Sequence, residues 1–165
     1  MPLRSPSSSG YDWPSTYQAV TASIAVVWVG ANSARYLRSQ GHGTISKVAI
    51  HPIVQSGNIS VGVYTGSGVG NARVPAGRIA TTGSMACPVG GYIEIALDGT
   101  VYVSEGDFFA LSCDNATASF LGMSGNASSL YKGWAYTQAT AHALPTSAGT
   151  LTATTSSLPT IIGIP

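Results

Sequence analysis

The feature that most constrains the fold of this chain is a succession of short apolar runs, each ending near a glycine, asparagine or aspartate. In the clearest run, Asn58 to Thr65, the β-branched residues Ile59, Val61 and Val63 occupy every second position. A period of two residues places alternate side chains on opposite faces of a β-strand. We therefore expect a half-buried antiparallel strand here, with the three β-branched residues facing a core.

Comparable strand-like runs recur along the chain, and no longer segment shows a helical period. The turn signals between them predict an all-β fold, an antiparallel, jelly-roll-like β-sandwich of about eight to ten short strands. Asp98-Gly99, between two such runs, predicts a tight hairpin, and Pro52 predicts an edge strand or a bulge. The other predicted strands are Ile24–Val29, Arg35–Arg38, Thr44–Val54, Arg78–Thr82, Tyr92–Leu97, Thr100–Ser104, Asp107–Cys113, Ala118–Gly122 and Tyr131–Tyr136.

Three regions differ in composition. Residues 1–20 are rich in Pro, Ser and Gly and form a predicted N-terminal arm, residues 21–140 carry the strand pattern of the β-sandwich domain, and residues 141–165 form a predicted C-terminal tail. We expect the tail to be docked on the domain or on a partner. The strand pattern is already complete within the domain, so removing the last eight residues is expected to affect its stability little.

The two terminal regions carry the residues that we predict to attach the chain to a partner. Tyr11 and Trp13 close the arm, and Ile161, Ile162 and Ile164 lie near the end of the tail. Large apolar side chains in a terminal segment favour docking over free exposure to water.

Charge is scarce, since only 8% of the residues are charged, with a formal net charge of +1, against about 25% in typical domains. The basic residues are scattered, which predicts no nucleic-acid partner, and no apolar run is long enough for membrane insertion. The amino terminus lacks the apolar core of a secretory signal, so we expect synthesis in the cytosol. Cys87 and Cys113 are then expected to serve as small buried hydrophobes.

The sequence offers little to support catalysis, and we predict a non-enzymatic protein without metal or cofactor. His42, His51 and His142 have no metal-ligand spacing, and no nucleophile motif is complete. Three carboxylates, Glu94, Glu105 and Asp107, remain as candidates for a glycosidase pair. For the last two, hydrogen bonding within a turn is the favoured interpretation.

Carbohydrate binding is the main alternative. Tyr131, Trp134 and Tyr136 lie close together in the sequence beside a Ser/Asn/Gly loop. Aromatic rings with an apolar face and a polar rim suit stacking on a sugar. Sandwich cores and oligomer interfaces use the same residue types, so the three rings alone do not decide between these roles.

Five segments in the middle of the chain are predicted strands punctuated by turn residues, and all but the first begin at Gly. They are Ala34-Arg35-Tyr36-Leu37, Gly43-Thr44-Ile45-Ser46-Lys47-Val48, Gly57-Asn58-Ile59-Ser60-Val61-Gly62-Val63-Tyr64, Gly77-Arg78-Ile79-Ala80-Thr81-Thr82-Gly83 and Gly106-Asp107-Phe108-Phe109-Ala110-Leu111-Ser112-Cys113-Asp114-Asn115. In this pattern, residues 32–122 resemble the β-sandwich modules of phage tail fibres and other virion surface proteins. The resemblance implies adhesion or assembly and brings no catalytic residues with it.

Together these features predict a bacteriophage virion protein assembled in the host cytoplasm, namely a capsid decoration protein on the head surface. We expect a homo-oligomer, specifically a trimer, whose partners are other virion proteins such as the major capsid or tail protein. The absence of a long repetitive shaft favours this role over that of a fibre. The alternative is a tail-fibre or receptor-binding module that binds a host surface glycan.

Overall fold

The computed structural model describes residues 23–124, 135–139, 141–154 and 158–165, which form fourteen strands in three antiparallel sheets. The one helical element within these ranges is a single 3₁₀ turn at Gly70–Ala72. The sheets pack together as a β-sandwich, so the predicted fold class is confirmed. Strands outnumber the prediction because several of them are only two or three residues long.

The largest sheet has seven strands, and its long central strands are the ones that the sequence pattern marks most clearly. The sheet order is β12 (Thr152–Ala153), β11 (Ala135–Gln138), β2 (Ser33–Arg38), β9 (Phe108–Cys113), β5 (Asn58–Ser67) and β6 (Val74–Thr81), and β7 (Met85–Ala86) also pairs with β5. Strands β2, β9 and β5 pair in unbroken register, with Tyr36 opposite Ala110 and Val61 opposite Leu111.

Two smaller sheets form the opposing layer. Pro52 starts a short strand that meets β10 at a register irregularity, as the sequence predicted. The three-stranded sheet contains β14 (Ile162–Ile164), β3 (Gly43–Ile50) and β8 (Ile93–Val103). In the four-stranded sheet, β10 (Ser119–Ser124) pairs with β1 (Ser23–Trp28), β4 (Pro52–Val54) and β13 (Leu158–Pro159).

The main core lies between the large sheet and the two smaller ones. Every second residue of the central strands faces it, as the alternation predicts. The large sheet contributes Leu37, Ile59, Val61, Val63, Phe109 and Leu111, and the smaller sheets and their connections contribute Val27, Ile45, Val48, Ile50, Val103, Phe120 and Ile161.

The large sheet is also covered on its other face, which corrects the prediction that β5 is half-buried. Ser60 and Tyr64 point away from the main core and are nevertheless buried. Residues 141–151, which we call the strap, lie over this face and bring Ala141 and Leu144 into a second apolar cluster. The strap is therefore part of the folded domain, because its apolar side chains complete a second core.

The strap is held to the large sheet by backbone hydrogen bonds at both ends. The Ala141 N–H donates to the Asn32 carbonyl at 2.7 Å, and the Ala148 N–H donates to the Ala76 carbonyl at 2.8 Å. Gly62 makes the close approach of the strap possible, because a Cβ there would lie 3.0 Å from a methyl group of Leu144. The glycine of this alternating run is thus a packing requirement.

The hairpin predicted at Asp98-Gly99 is wrong, because both residues lie inside the continuous strand β8. Ala96 pairs with Lys47 and Val101 with Ile45, so four residues of β8 bulge out opposite a single residue of β3. The Asp98 carboxylate accepts the Thr81 N–H at 2.9 Å across to the large sheet. Asp98, which the sequence placed in a turn, therefore joins two layers of the sandwich.

The end of the chain belongs to the sandwich as well. Ile161 is fully buried in the main core, and β14 extends the three-stranded sheet by pairing with β3. The premise that the strand pattern is complete before the tail is therefore wrong, and we expect removal of the last eight residues to open the core.

Candidate functional site

The outward face of the three-stranded sheet carries the most exposed aromatic side chains among the described residues. Tyr92 is 55% exposed and Tyr102 is 57% exposed. Tyr92 immediately precedes β8 and Tyr102 lies near its end, and alternation places both on the side opposite the buried Ile95 and Val103. Exposed rings of this size on one sheet face are typical of a contact surface.

The isoleucines of the last strand extend this face. Ile162 pairs with Ala49 and Ile164 with Lys47, so both side chains lie on the outward side and are half-buried. We call the surface formed by Tyr92, Tyr102, Lys47, Glu94, Ile162 and Ile164 the tyrosine face. It combines three strands from distant parts of the chain into one apolar patch.

The tyrosine face has no net charge from its own residues. The Lys47 Nζ lies 3.2 Å from a carboxylate oxygen of Glu94, and both side chains remain close to half-exposed. Partial burial and the neighbouring Glu94 carboxylate raise the pKa of Tyr92 above its usual value, so this ring stays neutral at physiological pH. A neutral face with one internal ion pair suits a protein partner better than a nucleic acid.

The predicted attachment residues have different placements. Ile162 and Ile164 lie on the tyrosine face, whereas Ile161 is enclosed by the main core of the chain itself and has no surface to present to a partner. Tyr11 and Trp13 lie outside the described residues, so their role stays a prediction.

One of the three predicted sugar-stacking rings is described, and it is buried. The Tyr136 hydroxyl donates to the Arg73 carbonyl at 3.0 Å, and its ring meets Phe108 edge-on at 5.9 Å between centroids. This arrangement leaves no ring face of Tyr136 for a sugar. Tyr131 and Trp134 lie outside the described residues.

The three candidate carboxylates do not form a pair among the described contacts. Asp107 accepts the Gly66 N–H at 2.9 Å and the Ser104 N–H at 2.8 Å, and it lies 3.7 Å from the Arg73 guanidinium. These contacts confirm the predicted turn role for Asp107. Glu94 pairs with Lys47 on the tyrosine face, and no bond in the described part of the chain links Glu105 to either.

A histidine that the sequence interpretation left isolated joins two hydroxyls. The His142 Nδ1 is 3.1 Å from the Ser112 Oγ, and its Nε2 is 3.1 Å from the Ser84 Oγ. Among the described residues no carboxylate hydrogen-bonds this ring, so it lacks the acid partner of a Ser-His-Asp triad. The ring pins the strap to β9 and to the turn after β6, a role with no sequence signal because the partners are 30 and 58 positions away.

Two turns that carry the resemblance to virion proteins are joined by a hydrogen-bonded unit, which we call the clasp: Gly57-Asn58 and Asp114-Asn115. The Asp114 carboxylate accepts the Asn58 N–H at 2.9 Å and the Asn58 side-chain amide at 2.8 Å. Hydrogen bonds from Asn115 and Asn58 lower the pKa of Asp114 to about 2. Gly57 adopts φ +59°, and a Cβ there would lie 2.1 Å from both Asp114 and Asn115.

The cysteines are both free thiols, with Cys113 buried and Cys87 half-buried. Burial is the main cause that raises the pKa of Cys113 to about 12, so it is unreactive at neutral pH. Within the described ranges no group of three metal-ligating side chains comes together, and no helix is long and apolar enough to cross a membrane.

Scans against protein-family models, curated proteins and solved structures each found no match for this chain.

Proposed function

We propose that this chain is a non-enzymatic structural protein of a bacteriophage virion, a capsid decoration protein assembled as a homo-oligomer, specifically a trimer. The observation that carries the proposal is the tyrosine face, which presents two largely exposed rings and two half-buried isoleucines without net charge. Its partner on the particle is a repeated virion protein such as the major capsid protein.

The size of the tyrosine face favours contacts that are repeated many times. The sheet is three strands wide and β3 is eight residues long, so the face covers roughly 400 Å². This area is below the ~800 Å² per partner of a stable standard-size interface. A weak contact of this kind becomes effective when an oligomer binds several copies of its partner at once. A symmetric particle surface supplies such repeated sites.

The clasp supports the proposal because it contains residues on which the sequence resemblance rests. The residues shared with virion modules, Gly57-Asn58 and Asp114-Asn115, hold two strand ends together through hydrogen bonds. The resemblance thus concerns positions that set strand geometry. It supports a shared architecture devoted to adhesion or assembly, with no reactive group to carry over.

Binding to particles tests the proposal. Tyr102→Glu and Ile164→Glu place charge on the tyrosine face and should each weaken co-sedimentation with purified particles of the source phage by about tenfold or more, as expected of central contact residues. Val69→Glu, in the exposed β5–β6 loop, is the matched control and should bind normally. Equal binding by all three variants, or no binding by the unaltered protein, contradicts the proposal.

The alternative function is a tail-fibre or receptor-binding module for a host glycan. The exposed rings of Tyr92 and Tyr102 favour it, since a flat ring on a sheet surface can stack on a sugar. A glycan array read with the unaltered protein and with Tyr102→Ala distinguishes the two functions. Glycan binding lost in the variant supports the alternative, and an array without signal removes it.

A further inference from the structure

The second apolar surface of the molecule is the outward face of the four-stranded sheet. Val26 on β1 is 40% exposed and Val54 on β4 is 42% exposed. Leu121 on β10 pairs with Val26 and is half-buried between them. We call the surface formed by Val26, Val54 and Leu121 the valine face.

A buried hydroxyl lies in the same face. Ser119 pairs with Val54 and therefore shares its side of the sheet. It is fully buried although Val54 beside it is 42% exposed, and its Oγ has no hydrogen-bond partner among the described residues. Buried hydroxyls are normally paired, so the described part of this face leaves one polar group unsatisfied.

The dimensions of the valine face fit a short peptide segment. β4 and β13 share one edge of β10, so the sheet is three strands wide and β1 is six residues long, or roughly 14 Å by 20 Å. That area of about 300 Å² is well below the ~800 Å² that each partner of a stable dimer buries. It is comparable with the surface that one or two aromatic side chains bury, at about 150–250 Å² each.

The chain itself supplies such a segment at the right place. β1 begins at Ser23, so the twenty-two residues before it in the sequence are joined to a strand of the four-stranded sheet. Tyr11 to Tyr17 contains three aromatic residues and one charge, and its extended length of roughly 23 Å matches the length of the face. Because the segment is tethered a few residues from the face, its effective concentration there is high.

We propose that residues 11–17 of the N-terminal arm dock on the valine face of the same chain, with Tyr11 and Trp13 covering Val26, Leu121 and Val54. In this arrangement the two aromatic side chains are held by the protein itself and not by a virion partner. The attachment surface of the particle-bound protein is then the tyrosine face alone.

Limited proteolysis of the free full-length protein tests the docking. Chymotrypsin cleaves after Tyr11 and Tyr17, whereas Pro14 blocks cleavage after Trp13. Val26→Asp and Val54→Asp should each speed cleavage at these two sites by about tenfold, equivalent to ~1.4 kcal/mol of docking energy. Val69→Asp, in the exposed β5–β6 loop, should leave the rate unchanged.

Two further measurements keep the test decisive. Trp13→Ser, which changes the proposed occupant and leaves the valine face unaltered, should also speed cleavage at Tyr17 about tenfold. This variant covers the case in which a charged valine-face variant fails to fold. In the unaltered protein, the protection of Tyr11 and Tyr17 against chymotrypsin should not change when the protein is diluted. Protection that falls on dilution assigns the site to the arm of a second copy, and equal rates in all variants show an undocked arm; either result overturns the proposal. Since no particle is involved, this outcome is independent of the proposed virion function.

Discussion

Gly57 shows how one residue fixes the geometry of the clasp. Its φ is +59°, and a Cβ at this position would lie 2.1 Å from the Asp114 Oδ1 and the Asn115 Nδ2, so an added side chain would displace the groups that form the clasp. We expect Gly57→Ala to lower the free energy of unfolding by more than the ~1–3 kcal/mol of left-handed strain alone. Gly83→Ala is the matched control, because Gly83 has φ +68° and an open surrounding. Equal effects of the two substitutions in urea unfolding would show that the clasp is not tightly packed.

Asp114 gives the clasp a pH dependence. Its folded pKa of about 2 lies below the ~3.9 of an unfolded aspartate. The carboxylate therefore contributes stability that is fully present above about pH 4 and is lost as the pH falls towards 2. We expect Asp114→Asn to lower the Tm at pH 7 and to flatten its fall between pH 4 and pH 2.

The control for this pH dependence is Glu94→Gln, which removes an exposed carboxylate with a single lysine partner. Melting curves recorded by circular dichroism across this range should show a slope close to that of the unaltered protein. If Asp114→Asn keeps the full acid sensitivity, the hydrogen bonds from Asn58 and Asn115 do not stabilise the carboxylate.

At the scale of elements, substitutions at Asp98-Gly99 distinguish a bulge inside a strand from a hairpin turn. A hairpin of type I′ needs a positive φ at its glycine, whereas Gly99 is not among the positive-φ glycines and has open space around it. We expect Gly99→Ala to change stability by less than about 0.5 kcal/mol. Asp98→Ala should lose about 1–2 kcal/mol with the bond to Thr81, whereas Asp98→Asn, which keeps an acceptor oxygen, should lose less.

Thermal or urea unfolding of these three variants is sufficient to decide the matter. A strongly destabilised Gly99→Ala would restore the hairpin interpretation, because only a turn would reject the added methyl group.

The last strand is the second element whose importance can be measured. Deleting residues 158–165 removes β13, β14 and the buried Ile161. We expect a Tm many degrees lower or an insoluble product, and we expect Ile161→Ala alone to lower the free energy of unfolding by about 2–5 kcal/mol. Val69→Ala, on the exposed loop, should have almost no effect. A truncated protein that melts like the full chain would show that β14 is dispensable.

Sequence alternation was enough to locate β5, because Ile59, Val61 and Val63 face the main core at every second position. It failed for the strap, where Ala141 and Leu144 lie in a Thr/Ser/Pro-containing stretch without any period. Their burial depends on the space above Gly62, which only the folded sheet reveals. The hairpin prediction failed for a similar reason, since the carboxylate of Asp98 finds its partner on another sheet.

The candidate site could be predicted in part. Ile162 and Ile164 were identified as apolar residues near the end of the chain, and they lie on the tyrosine face. Ile161 is equally apolar, but its side chain points to the opposite side of the sheet and is buried in the main core. Tyr102 was missed, because the exposure of a tyrosine depends on which face of a sheet stays uncovered.

At the scale of the whole molecule, the low content of charged residues predicts self-association. With only thirteen charged residues among 165, 7 basic and 6 acidic, repulsion between copies is weak. We expect light scattering of the pure protein at a concentration of roughly 10⁻⁵ M to give the mass of a trimer. A monomer at this concentration, unchanged on addition of particles, contradicts the proposed assembly.

Imaging of intact phage particles with an antibody against this chain tests the proposed location most directly. We expect regular labelling of the head surface, lost in particles produced with Tyr102→Glu and Ile164→Glu combined and retained with Val69→Glu. Labelling confined to the tail supports the receptor-binding alternative. Particles that carry no label, while the chain is abundant in the infected cell, would contradict a structural role in the virion.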